Sequence, residues 1–158
     1  MTRASKLGRI LLAEDDPRDI ELTLEALSQH HLVNKVDVVN DGEQALDYLY
    51  RRGQWHRRGG GSPVVILLDL KMPKVDGLEV LRQVKKDPEL QLIPVVVLTS
   101  SREESDVTAS YNLGTNAYVV KPINFQEFVH AVAELGAFWA LLNEAPPESY
   151  RPRPGQGS

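Results

Sequence analysis

The 158 residues include no cysteine. That absence excludes disulfides, thiolate metal sites and thiol nucleophiles together, and it accords with a reducing compartment. A long apolar run at the N-terminus is missing as well: in MTRASKLGRILLAEDD only a few apolar residues separate the basic start from the acids. This rules out a signal peptide or a membrane span there, so the expectation is a cytoplasmic protein with no membrane partner. Nor is there an excess of positive charge. The net charge of −4, spread over dispersed acids and bases, gives no broad field for phosphate backbones, and no DNA partner is expected.

What is present fits an ordinary soluble globular chain, with 42% hydrophobic and 25% charged residues. The length suits one core, not two. Short apolar runs rich in β-branched residues occur at 9–13 (RILLA), 35–39 (KVDVV), 64–68 (VVILL), 94–98 (PVVVL) and 117–120 (AYVV). Segments of helical spacing separate them, at about 17–30, 42–51, 78–86, 103–113 and 124–142. Such alternation predicts an α/β fold with a parallel sheet and crossover helices. The third and fourth runs are apolar throughout, as strands buried on both faces are.

Helix starts are marked coherently. Asp16 precedes Pro17, Asp41 precedes the second helix, and Asn124 stands three residues before Glu127 in a capping-box arrangement. Ile20, Leu24 and Leu27, and Leu78, Val80, Leu81 and Val84, fall on inward helix faces. One segment breaks the rhythm: residues 51–63 (RRGQWHRRGGGSP) carry four arginines and a triple glycine, and are expected to form a long, flexible loop. The division expected is a short N-terminal segment at 1–7, one domain at 8–144 and a flexible tail at 145–158.

In a parallel α/β sheet, functional groups gather where the carboxyl ends of strands open into a crevice. The first strand ends in Glu14, Asp15 and Asp16, the third in Asp69, the fourth in Thr99 and Ser100, and the fifth in Lys121 and Pro122. Carboxylates converging there repel one another unless a cation or protons neutralise them. Oxygen-only ligands suit a hard divalent ion, and Mg²⁺ is the expected cofactor. With such an ion in place, Asp69 has the chemistry of a nucleophile toward a phosphoryl group, Lys121 that of a partner for a phosphoryl oxygen, and Thr99 that of a hydroxyl donor. Taken singly these residues are unremarkable cap residues and surface charges; their joint placement at strand ends carries the reading.

The stretches ILLAEDDP, LLDLKMPKVDGLEVL, PVVVLTSS and GTNAYVVKPINFQEF, from Gly8 to Val132, resemble the receiver domain of two-component response regulators. The resemblance implies a flavodoxin-like (βα)5 doubly wound domain with a five-stranded parallel sheet in the order 2-1-3-4-5. It also implies Glu14 and Asp15 as the acidic pair for Mg²⁺, Asp69 as the phosphoacceptor, and the backbone carbonyl of Lys71 as a further metal ligand. Thr99 becomes the switch hydroxyl, Tyr118 the aromatic that moves with it, Lys121 the phosphate sensor, and Pro122 the partner of a cis peptide bond. The basic loop and the ending FVHAVAELGAFWALLNEAPP are similar to the small response regulators of bacterial and cyanobacterial phytochromes. That likeness implies a phytochrome-type sensor histidine kinase as partner. Output is expected through protein contact, as a homodimer on the face of the fourth and fifth elements, with Phe138, Trp139 and Leu142 lengthening it; on structural grounds alone the Phe138-Trp139 pair serves equally well to cap the domain's own core.

On this reading the chain is a stand-alone receiver and not an enzyme on external substrates; it catalyses only its own phosphotransfer and reset. Two other readings stay open. One is a small phosphatase with Asp69 as nucleophile, although position 71 holds Lys where such enzymes carry a general acid. The other is a binding module using the arginine-rich loop on an anionic partner. A dinucleotide-binding domain is disfavoured, since the first strand runs into acids where pyrophosphate wants glycines.

Overall fold

The computed structural model describes residues 8–28, 36–59, 61–100 and 104–121, together with Gln126 and His130. Five strands alternate with helices: β1 (Ile10–Ala13), α1 (Pro17–Ser28), β2 (Val36–Val39), α2 (Gly42–Tyr50), β3 (Val65–Leu68), α3 (Gly77–Lys86), β4 (Val95–Thr99), α4 (Glu104–Asn112) and β5 (Ala117–Val120). The sheet is parallel throughout, in the order β2-β1-β3-β4-β5, as expected. Apart from Gln126 and His130, the fifth predicted helix lies outside the described residues, as do the capping Asn124 and the tail.

Alternation along the strands divides the core into two layers. Leu11, Ala13, Ile66, Leu68, Val95 and Val97 pack on one face with Leu46 and Leu49 of α2 and Val80, Leu81 and Val84 of α3. Ile10, Leu12, Val65, Leu67, Val96 and Leu98 face the other way, with Ile20, Leu24 and Leu27 of α1 among their partners. The central strands β1 and β3 are buried at every residue, which explains their uninterrupted apolar sequence. Three aspartates start three helices. Asp16 accepts from the Arg18 and Asp19 amides, Asp41 from Gln44 N at 2.7 Å, and Asp76 from Glu79 N at 2.9 Å. Among the described residues no helix is long and apolar enough to cross a membrane.

The described part of the arginine-rich segment makes specific contacts with the rest of the domain. Arg51 ends α2 in the left-handed conformation, at φ 54°, and Gly53–Trp55 forms a short 3-10 turn. Trp55 meets Tyr48 edge to face with ring centroids 4.9 Å apart. The Arg58 guanidinium also lies 4.1 Å from the Tyr48 ring centre, while its Nε donates to the Tyr48 carbonyl at 3.0 Å. Below the ring, the Tyr48 hydroxyl donates to Asp37, which also pairs with Arg9 at 2.6 Å. Burial alone would raise the Asp37 carboxyl; hydrogen bonds from Arg9 and Tyr48 outweigh it and hold the group below its ordinary value. Arg52 is taken up by Asp47 at 2.7 Å. Arg52 and Arg58, two of the four arginines of the basic segment, thus have partners within the chain.

Candidate functional site

Chain order in the sheet reverses at β1 and β3, so their carboxyl ends flank the crevice where such folds bind ligands. Glu14 leaves β1 with its amide donating to the Val39 carbonyl, and Asp69 leaves β3 with its amide donating to the Ala13 carbonyl, each at 3.0 Å. Both carboxylates are almost fully buried, whereas Asp15 is exposed. One oxygen from each of Glu14, Asp15 and Asp69 lies within 4.8 Å of the other two. Ligand atoms on opposite sides of one Mg²⁺ stand about 4 Å apart, so small side-chain adjustments bring this all-oxygen set onto one hard cation. The donor chemistry and spacing fit a divalent ion.

Lys121, one residue past β5, reaches into the same crevice. Its ammonium donates to Glu14 Oε1 at 2.6 Å and to Asp19 Oδ2 at 2.7 Å, and stands 3.6 Å from Asp69 Oδ2. Burial would lower the lysine's pKa, but the bonds to Asp19 and Glu14, with the charge of Asp69 beside them, carry it above the ordinary range. Lys121 is thus a fixed cation. Burial pushes the Glu14 carboxyl up to about 7 against the pull of Lys121 and the Asp16 amide, and nearby Asp69 adds to the rise.

Asp19 was not foreseen as a site residue. In sequence it is an acid in the first turn of α1, which the helix dipole alone accounts for. Its partner lies 102 positions away, and no local pattern announces that pairing.

The loop after Asp69 is held from several sides. Lys71 approaches Asp106 of α4 at 3.8 Å, and Lys74, in the left-handed region at φ 68°, approaches Asp41 at the start of α2 at 3.7 Å. Gly77 does more than permit the turn read from sequence. A Cβ there would stand 2.2 Å from the Asp69 carbonyl oxygen and 2.6 Å from Leu70 Cα, so the residue lets α3 start directly against the acceptor's own backbone. Gly77→Ala should cost about 1–3 kcal/mol in urea denaturation, because both obstacles are main chain and neither can rotate aside.

The other predicted residues are placed as follows. Thr99 ends β4 opposite Val120, so its backbone neighbours that of Lys121; its side chain lies outside the description. Tyr118 pairs in register with Val97 and packs half-buried against the α2/α3 layer. Pro122, Phe138, Trp139 and Leu142 lie outside the described residues. Glu14, Asp15, Asp69 and Lys121 come together as read.

A parallel 2-1-3-4-5 sheet with this acid and lysine group at its switch point defines a receiver. The model of the response regulator receiver domain matches residues 10–133, and the chain belongs to that family, whose members in general accept phosphate on an aspartate. Among solved structures, the bacteriophytochrome response regulator AtBRR is 61% identical with a TM-score of 0.78, over 87% of this chain and 99% of that one. RtBRR, another bacteriophytochrome response regulator, is 64% identical at a TM-score of 0.77, over 90% and 86%. Response regulator Rcp1 of Synechocystis sp. is 40% identical over 130 residues, which cover 82% of this chain and 87% of Rcp1. Rcp1 has also been solved in a Mn(2+)-bound form.

Proposed function

We propose that the chain works as a stand-alone, cytoplasmic phosphorylation switch. It takes a phosphoryl group from the phosphohistidine of a phytochrome-type histidine kinase onto Asp69 and changes its protein contacts in response. The observation that carries this reading is the buried Asp69 carboxylate set between an oxygen-lined cation site and the fixed charge of Lys121.

In the transfer, an Asp69 oxygen forms the new P–O bond while the P–N bond to the kinase imidazole breaks, and its electron pair stays with the ring nitrogen. Glu14, Asp15, Asp69 and the Lys71 carbonyl are the groups that would hold Mg²⁺, which when bound would supply positive charge against the incoming anion. Lys121 offers an N–H to a phosphoryl oxygen and Thr99 offers its hydroxyl, drawing the β4 end inward and leaving Tyr118 room to turn. Attack of water on phosphorus later restores the carboxylate and releases phosphate. These steps are self-modification, without turnover of an external substrate. The phosphatase alternative loses ground, since Lys71 sits where the general acid would and leans toward Asp106.

Output is assigned to a homodimer through α4, β5 and the segment carrying Phe138, Trp139 and Leu142, with no DNA contact. The test is phosphotransfer from a bacteriophytochrome kinase in red and far-red light, with sedimentation of the product. Light-dependent, hydroxylamine-labile label and a shift toward dimer are expected. No transfer in either light overturns the kinase assignment, and a monomer throughout overturns the dimer.

A further inference from the structure

We propose that Asp19 is a positioning residue that holds Lys121 in the resting receiver and competes with a phosphoryl group on Asp69 for it. The inference rests on Asp69 being the acceptor.

The Lys121 ammonium has three N–H groups. Two are engaged at 2.6 and 2.7 Å by Glu14 and Asp19, whereas Asp69 stands off at 3.6 Å. The lysine is thus drawn toward the α1 side of the crevice, away from the group it has to sense. A cation bound by Glu14 and Asp15 takes Glu14 out of this competition. Asp19 then remains as the anion that keeps Lys121 from turning.

Its placement suits the task. Asp19 stands on the first turn of α1, with its amide bonded to Asp16 Oδ1 at 3.2 Å, so its backbone is fixed. Its side chain keeps 31% of its surface exposed, against 9% for Lys121. When Lys121 leaves, solvent can take over the Asp19 carboxylate, while the lysine gains a buried dianion. The ion pair lost is therefore weak enough to be exchanged and strong enough to bias the resting state. Asp19 sets the threshold for switching without touching the reacting atoms.

Beryllofluoride at saturating Mg²⁺, titrated into the full chain and followed by fluorine NMR of the bound species, measures this threshold. Asp19→Asn, which keeps size and removes charge, should tighten binding about fivefold. Asp19→Glu should stay within about twofold of wild type, since it keeps the competing anion. In a Lys121→Ala background Asp19→Asn should change affinity by less than about twofold, because the effect runs through the lysine. Unchanged or weaker binding in Asp19→Asn overturns the proposal. So does a full gain that persists without Lys121, which would mark a through-space charge effect. Wild type failing to bind beryllofluoride overturns the acceptor reading and this inference with it; binding by wild type with no gain in the variant overturns the inference alone.

Discussion

Asp69→Asn should take up no phosphoryl label from a kinase or a small-molecule donor, and it should do so without losing stability. The first half follows from chemistry: an amide oxygen is a poor nucleophile toward phosphorus and carries no charge for a cation to organise. The second half follows from the surroundings of Asp69. Its oxygen Oδ2 is 3.6 Å from Lys121, farther than the oxygens of Glu14 and Asp19, so the lysine keeps its two short bonds. In the metal-free protein the Asp69 charge also raises the neighbouring Glu14 carboxyl, so neutralising it relieves a repulsion between buried acids. Thermal denaturation in EDTA should accordingly place Asp69→Asn at or slightly above wild type. In Mg²⁺ the order should reverse, since the variant has lost a ligand and with it part of the stabilisation that ion binding supplies. Retained label at the wild-type level would remove Asp69 from the centre of the mechanism.

Most of this arrangement was legible because strand ends are legible. The apolar runs at β1, β3 and β4 each stop at the residues that matter, and a parallel sheet brings those stops to one edge. Ala117–Val120 appears as read, while β4 runs one residue beyond the predicted limit of Leu98, to Thr99. Asp41 was read correctly as a cap because its bond is local. Contacts that depend on tertiary placement were not legible. Asp19 reads as a helix-start acid until β5 delivers Lys121 to it. The partners made within residues 51–63 were not legible either, since nothing local shows that Arg58 returns to the Tyr48 carbonyl or that both Arg58 and Trp55 meet that ring. Gly77 was read as a turn residue because Asp-Gly pairs usually are. Its close approach to the Asp69 carbonyl exists only once α3 is docked.

Removing the cation should have the largest effect on the fold itself. Lys121→Ala leaves Glu14 and Asp69 buried, with Asp19 beside them, and takes away the positive charge that faces all three. Breaking a buried ion pair from one side costs about 3–5 kcal/mol, and a loss of that order is expected for the metal-free variant in urea denaturation. The loss should depend on pH in a definite direction. Glu14 titrates in the fold at about 7, above its ordinary 4.5. A raised carboxyl binds more protons folded than unfolded, so its contribution favours the fold at low pH and is lost as pH rises through the folded value. Without Lys121 that folded value rises further, so the variant should fall behind wild type by more at about pH 8 than at about pH 5.5. Mg²⁺ supplies positive charge to the same carboxylates and should recover much of the difference, while Lys121→Met, which keeps the stem's packing, should behave like the alanine variant. Acceptance of phosphate at Asp69 should remain measurable, because the bond is made by the carboxylate, but beryllofluoride should no longer shift the oligomeric state. A metal-free Lys121→Ala as stable as wild type at both pH values would mean that the three carboxylates do not depend on this lysine, and would detach Lys121 from the switch.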